Sequence, residues 1–464
     1  MTNDRQFTGL LAAAAMGVYL LVAIGATTAV TDAAAACQAW PVCGNGFALP
    51  ATADGWFAFG HRVAAALVGL LLVFATVEAF RRGESRRVRG SLAAATTLYP
   101  FQVAVGAVVA TTAVVGSISA LHLVVGVAIF GSVLAALAWT LEAATGNPDD
   151  EPASPLDDEL PPVEESPSPE LPEPGWPRTK AKLRAYGTLT KPRLMWLLCL
   201  VASAAMALAG GSGLTVSVLA RTLAGGALAI GASGTFNHVL ERDVDRRMQR
   251  TNDRPLAVDL VPVRNAVVFG LALAAISIGL FASINVLAAV LGLIAILFYS
   301  IVYTLILKPN TVQNTVIGGA AGALPALIGW AAVTGDIGWG GLGLAMVVFL
   351  WTPAHFYNLA LAYKDDYAAG GFPMMPVVRG ETTTRRHILW YLGATLVATA
   401  ALATVARLDI LFVAVGVTLG IVFLREVVKL HFERTESAAF RAFHASNAYL
   451  GGVLLAVVID ALAV

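Results

Sequence analysis

The sequence predicts an all-α polytopic membrane protein with about 13 transmembrane helices, four followed by nine. Three observations predict it. Of the 464 residues, 57% are hydrophobic and only 13% charged, a balance far more apolar than that of water-soluble domains. The apolar residues gather in stretches of about 17–24, the length that crosses the hydrocarbon of a bilayer. No stretch shows the alternation of a membrane barrel. The formal net charge of zero is uninformative beside the placement of the charges.

The first group of spans is expected at 8–30, 57–80, 91–113 and 118–141. The first is too long for a cleavable signal and lacks its flanks, so it reads as retained. Arg81, Arg82, Arg86, Arg87 and Arg89 mark the turn after the second span as cytoplasmic, because cytoplasmic loops are enriched in Lys and Arg. Cys37 and Cys43 then fall in an outer loop. Five residues separate these two of only three cysteines, and an oxidising compartment makes a disulfide between them the expectation. Cys199, inside a span, reads as packing. His61 and His122 each lie a few residues into a span from the outer side. A lone intramembrane histidine is usually structural. Two at equal depth, facing across a four-helix bundle, suit axial ligation of a b-type haem.

Residues 146–178 are rich in Pro, Asp, Glu and Ser and poor in apolar side chains. Such a segment buries too little surface to offset its ordering entropy, so a disordered cytoplasmic tether is expected. It separates an N-terminal part, 1–145, from a C-terminal part, 179–464.

The second group of spans is expected at 193–211, 214–236, 264–282, 285–307, 312–333, 340–362, 388–406, 409–425 and 445–463. Many are rich in Ala, Gly, Val and Leu, which favours close helix packing in lipid. Thirteen spans with the N-terminus and linker inside and the C-terminus outside put Lys308, Lys364 and the Arg425/Lys429/Arg434 group on the cytoplasmic face.

The loop Asn237–Pro255 (NHVLERDVDRRMQRTNDRP) carries the most information. On a helix, Asn237, Glu241 and Asp245 share one face. Like charges at i,i+4 destabilise a helix by a few tenths of a kcal/mol, a repulsion that a divalent cation turns into ligation. Arg242, Arg246 and Arg250 form a second stripe, turned by about 100°. Carboxylates for a metal beside guanidiniums for phosphate oxygens are what a diphosphate–Mg²⁺ site requires. The plainer reading, a charged helix end with an Asp243–Arg247 salt bridge, leaves the acidic pair unexplained. A second cluster lies on the same membrane face: Trp351-Thr-Pro-Ala-His355, then Tyr363-Lys-Asp-Asp-Tyr367. Asp365 and Asp366 suit a second Mg²⁺, with Lys364 as a point charge on an oxygen. Ionisable residues at membrane depth are functional candidates by default, and His355 is one, against the competing reading of a histidine bonded to a neighbouring helix.

From about 190 onward the chain resembles the UbiA-type intramembrane prenyltransferases, and within them the protohaem IX farnesyltransferases (haem O synthases). The matching stretches are Leu189-Thr-Lys-Pro-Arg193, Asn237–Pro255 and Tyr303-Thr-Leu-Ile-Leu-Lys308. They continue through Ile317-Gly-Gly-Ala-Ala-Gly-Ala-Leu-Pro325 with Gly329-Trp330, Trp351–His355, and Lys364-Asp-Asp-Tyr367 with Pro373–Gly380. The resemblance implies a nine-helix bundle that transfers a farnesyl group from farnesyl diphosphate to a vinyl group of haem B. It implies Asn237, Glu241, Asp245 and Asp366 as Mg²⁺-side residues, with Lys364 and Asp365 catalytic beside them. Arg242, Arg246, Arg250, Arg254, Lys191, Lys308 and His355 are implied for substrate. Glu241 stands where the family usually has Asp, and Pro309 follows Lys308 where a basic residue is common.

Residues 1–145 resemble one half of the haem A synthase family through Cys37-Gln-Ala-Trp-Pro-Val-Cys43, Gly60-His61-Arg62, Gln102 and Leu121-His122. That family oxidises a methyl of haem O and has two four-span halves. A complete enzyme of that kind would need a homodimer or a haem A synthase or oxidase assembly partner. Ala58 occupies the place of its carboxylate three residues before the first histidine. The expected surroundings are the lipids of the cell membrane, with no nucleic-acid partner. Two other readings stay open: a prenyltransferase with a quinone or lipid acceptor, and a haem-binding transporter or electron carrier. A transporter predicts internal pseudo-repeats with broken spans, and none is evident.

Overall fold

The computed structural model describes residues 2–28, 37, 39–43, 50–112, 116–147, 150 and 173–463. Among the described residues all regular structure is helical, and 13 helices are long and apolar enough to cross a membrane. Helices α1 (Thr2–Thr28), α2 (Ala53–Arg81), α3 (Arg86–Thr111) and α4 (Ser117–Thr145) are followed by α5 (Trp176–Leu189), α6 (Pro192–Ala209) and α7 (Val216–Leu240). After the short α8 (Arg242–Asp245) come α9 (Val263–Ala282) and α10 (Val286–Leu297). A π-helical stretch, Phe298–Leu307, leads from α10 into α11 (Lys308–Asn310). The chain closes with α12 (Asn314–Thr334), α13 (Trp339–Ala362), α14 (Lys364–Ala369), α15 (Met375–Val405), α16 (Ile410–Glu433) and α17 (Glu436–Ala463).

Local sequence explains the helix starts. The side chains of Thr52, Ser85, Thr215 and Asn285 accept hydrogen bonds from backbone N–H groups three residues on, satisfying donors that a helix leaves open. Large apolar side chains face outward along the spans, with Leu70 69% and Trp339 79% exposed. Such surface belongs in lipid.

Packing divides the chain into two compact units along lines other than the sequence boundaries at 145 and 178. Unit 1 is Met1–Asn147 with Ile388–Arg434, and unit 2 is Pro148–His387 with Thr435–Val464. In unit 1, α1 packs on α2, α4 and α16. Tyr19 meets Phe130 at 5.9 Å between ring centroids. A Cβ on Gly393 would lie 2.1 Å from Leu134, so the C-terminal half of α15 and α4 approach at a glycine. In unit 2, α7 lies along α9, and α12 contacts both α6 and α13. A Cβ at Gly329 would strike the Ala202 carbonyl at 2.3 Å, which fixes glycine at the α6–α12 crossing.

The segment expected as a tether is corrected at its end: Trp176–Arg178 open α5, where Pro177 occupies a first-turn position that suits its fixed φ. Residues 151–172 lie outside those described. Asp150 is placed, and its carboxylate accepts from the backbone N–H groups of Glu381 (2.9 Å) and Thr382 (2.6 Å). These follow Gly380, whose φ of 78° breaks α15 internally. Burial works to raise the Asp150 carboxyl, and the two backbone donors overcome it, holding it below its ordinary value.

Candidate active site and a histidine-lined cavity

At the cytoplasmic end expected for unit 2, three side chains from α7 and its extension meet three cations. Asn237 and His238 sit in the last turn of α7, Glu241 is its cap residue, and Asp245 ends α8. Lys191 precedes α6 with a left-handed φ of 51°. Its ammonium donates to the Asn237 side-chain oxygen and, at 3.4 Å, to the Tyr299 hydroxyl. The Asn237 amide donates to Thr304 at 3.2 Å. Lys308 donates to Glu241 at 2.6 Å. Arg254 grips both oxygens of Asp245 at 2.7 and 2.9 Å. Tyr299 and Thr304 both lie in the π-helical stretch, a distortion frequent at functional sites.

These charges are buried, with Glu241 5% and Asp245 3% exposed. Burial works to raise the Glu241 carboxyl, but Lys308 and then Lys191 overcome it and hold it below the usual range. Burial pushes the Asp245 carboxyl up against the opposing pull of Arg254. Burial also brings the Lys191 ammonium down to about 7, against the favourable charge of Glu241.

The second acidic motif lies beside Arg250. Asp366 accepts from the Gln249 backbone N–H at 2.6 Å, and its other oxygen lies 3.8 Å from Arg250. That second oxygen is buried without a hydrogen-bond partner. Arg250 packs over Tyr363 and Tyr367 at 4.8 and 5.5 Å.

Several expected residues have protein partners in this structure. The Arg242/Arg246/Arg250 stripe needs a continuous helix, but α8 ends at Asp245 and turns follow. Arg242 and Arg246 both pair with Asp259, at 2.5 and 2.7 Å. They also donate to the Leu256 and Ala257 carbonyls, so they brace the loop. Asp243 approaches Arg246 at 3.9 Å rather than Arg247 as a continuous helix implied. Lys364 pairs with Glu381 at 3.2 Å, and Asp365 is exposed. His355 is stacked between Trp351 and Phe443, each 4.3 Å away, and its Nδ1 meets Ser446 of α17 at 2.8 Å. The structural reading accounts for all of these contacts.

His238 has no role among the sequence expectations. It is 3% exposed, lies 3.9 Å from Asp245, and neither ring nitrogen has a hydrogen-bond partner. It falls two residues beyond the span expected at 214–236, so the depth signal that singled out His355 did not reach it; the extension of α7 to Leu240 is what buries it.

For Mg²⁺ the donor chemistry fits. Among the described residues no three acidic, histidine or cysteine side chains form a ready-made nest. Mg²⁺, however, is commonly held by one or two carboxylates with substrate phosphates completing the shell. Asn237, Glu241 and Asp245, and separately the unpartnered Asp366 oxygen, offer hard oxygen donors. An apolar channel opens from this cluster. Lys191 and Tyr299 line its polar end, and Leu198, Cys199, Gly226 and Ile328 line its walls.

Unit 1 holds a larger cavity of about 550 Å³ lined by His61, His122, Gln102, Tyr99, Arg62 and Trp40, among others. Nδ1 of both histidines is buried without a hydrogen-bond partner. The Gln102 amide donates to the His122 carbonyl at 2.8 Å. Cys37 and Cys43 are joined as a disulfide with 4.5 Å between Cα atoms. Arg62 donates to the carbonyls of Cys37 (2.7 Å) and Ala39 (2.6 Å), tying this loop to α2. The Gln102 amide also lies 3.3 Å from His122 Nε2, and what fits a haem is the roomy cavity with two buried Nδ1 atoms lacking partners.

The profile of the UbiA prenyltransferase family matches residues 196–450. A protein of Haloquadratum walsbyi named protoheme IX farnesyltransferase is 61% identical over 466 residues, 99% of this chain and 97% of its own length. One of Saccharopolyspora erythraea named protoheme IX farnesyltransferase 1 is 44% identical over 293 residues, 62% of this chain and 93% of its own. A solved digeranylgeranylglyceryl phosphate synthase shares the fold over 61% of this chain and all of its own, with a TM-score of 0.52 at 15% identity. The chain is a multi-pass membrane protein that belongs to the UbiA prenyltransferase family.

Proposed function

We propose that unit 2 transfers the farnesyl group of farnesyl diphosphate to a vinyl group of haem B, with water added, to give haem O in an Mg²⁺-dependent reaction. The observation that carries this is the 61% identity, over nearly the whole of both chains, to a relative named for that activity. The buried cationic cluster at the mouth of an apolar channel supplies matching chemistry. Lys191, Lys308 and Arg254, now satisfied by Asn237, Glu241 and Asp245, are the cations that turn to diphosphate oxygens. Bound Mg²⁺ supplies further neutralisation of the departing negative charge. As the C1–O bond breaks, diphosphate leaves with the electron pair, and pre-placed cations stabilise it without reorganisation. The allylic cation accepts the vinyl π pair to form the new C–C bond. Water then adds to the cation left beside the porphyrin ring and releases a proton. Until that step the apolar channel keeps water from the cation.

Incubating the purified protein with haem B, labelled farnesyl diphosphate and Mg²⁺, then separating the haems by chromatography, should yield labelled haem O. Label in a quinone or lipid with none in haem overturns the acceptor.

For unit 1 we infer a b-type haem held by His61 and His122, supported by their two orphaned Nδ1 atoms on one cavity. Ala58 leaves the haem A synthase-like carboxylate position without an acid, so this chain alone should not oxidise haem O efficiently. The site in the cell membrane, with the N-terminus inside and the C-terminus outside, rests on the arginine and lysine distribution. The Saccharopolyspora erythraea relative aligns along 93% of its length to 62% of this chain. That supports prenyl transfer without help from the remaining part.

A further inference from the structure

The channel of unit 2 has a measurable depth. Gly234 lines it at the Lys191 end, where an added Cβ would lie 3.2 Å from the Lys191 side chain. Eight residues back along α7, Gly226 lines the channel, about 12 Å deeper at 1.5 Å rise per residue. Cys199 also lines the channel and, eight residues beyond Lys191 along α6, lies about as deep by the same rise. Gly226 differs from its neighbours. A Cβ there would meet nothing within 4 Å, whereas one at Gly225 would lie 3.0 Å from Phe281 and one at Gly234 would strike the Leu189 carbonyl at 2.9 Å. The space beside Gly226 is therefore open, and it opens into the channel.

We propose that Gly226, with Cys199 lining the same channel at similar depth, sets the prenyl chain length that the enzyme accepts. This rests on the prenyl-transfer reading above. An extended chain advances about 1.2 Å per main-chain bond, so a two-isoprene chain of seven such bonds ends about 8 Å from the diphosphate carbon. A three-isoprene chain of eleven bonds ends about 13 Å away by the same rule. Geranyl thus stops short of Gly226 and Cys199, and the third isoprene unit of farnesyl reaches their depth. A side chain at 226 takes the place of that unit without striking the protein.

Cys199 is also a native reporter, since the chain has three cysteines and the other two form the disulfide. With the full-length protein and Mg²⁺, farnesyl diphosphate should slow alkylation of Cys199 by a small apolar maleimide about ten-fold or more, whereas geranyl diphosphate should protect little. This readout needs no acceptor, so it separates failure of the chain-length proposal from failure of the haem reading. Gly226→Leu should lower kcat/KM for farnesyl relative to geranyl diphosphate by about a hundred-fold, the loss expected when most of one isoprene unit stays unburied. Gly226→Ala, which adds one methyl into open space, should give a smaller shift in the same direction. Equal protection of Cys199 by the two diphosphates overturns the proposal. So does an unchanged farnesyl-to-geranyl preference in the variants.

Discussion

The two units treat buried polar groups in opposite ways. In unit 2 the buried charges satisfy one another: Lys308 with Glu241, Arg254 with Asp245. In unit 1 the histidines leave an Nδ1 each without a partner, beside a cavity several hundred cubic ångströms in size. A buried charge without a partner is far costlier than a neutral imidazole without one. A site for a polyanion that comes and goes must therefore store its cations in internal pairs. A neutral ligand set can wait open. The first arrangement suits an exchanging substrate and the second a resident cofactor.

The largest expected effect breaks unit 2 alone. Asp245→Asn removes a charge without changing size and should cost prenyl transfer about a thousand-fold. The b-type spectrum inferred for unit 1 should stay intact, as read from absorbance of the same preparation. Loss of both properties together would mean that the two sites depend on one another. Glu241→Asp keeps the charge but shortens its reach toward Lys308, so activity should persist at roughly a tenth, because the ion pair is stretched rather than removed.

The converse experiment breaks unit 1. His61→Ala or His122→Ala in the full chain should abolish the low-spin haem spectrum while prenyl transfer stays within about two-fold, since both line the cavity of unit 1 and the ionic cluster belongs to unit 2. A colourless wild-type protein from haem-replete cells ends the haem reading for that cavity.

A smaller effect sharpens the role of the arginines. If Arg242 and Arg246 brace the loop through Asp259, Asp259→Asn should raise KM for farnesyl diphosphate about three- to ten-fold by loosening it, at about 1 kcal/mol. If they are phosphate ligands restrained by Asp259, freeing them should lower KM instead. The direction alone decides.

The smallest effect concerns the division of the chain. A 179–464 fragment keeps the ionic cluster but strips α16 and the C-terminal half of α15 of their packing on α1 and α4. It should retain prenyl transfer while its thermal midpoint falls by about 5 °C, and supplying 1–145 in trans should restore the midpoint. Loss of activity in a stably inserted fragment would mean that unit 1 contributes to the reaction itself.

The sequence by itself determined the thirteen spans, because a bilayer demands long apolar helices whatever their neighbours. It also located the acidic motifs on the α7 extension and after α13, since spacings of three and four residues place side chains on one helix face. Tertiary structure decided which charges meet. Arg242 and Arg246 lie in the same motif as Asp245, yet they turn to Asp259 because α8 ends and the loop folds back. His355 was flagged for its depth, but a serine on α17 and two flanking rings satisfy it. His238, in the last turn of α7, is the histidine whose ring nitrogens lack hydrogen bonds beside Asp245. The pairing of residues 388–434 with the first four spans was likewise invisible in the sequence. Hydrophobic periodicity specifies that a helix has an apolar face, whereas which face it meets depends on contacts between residues hundreds of positions apart.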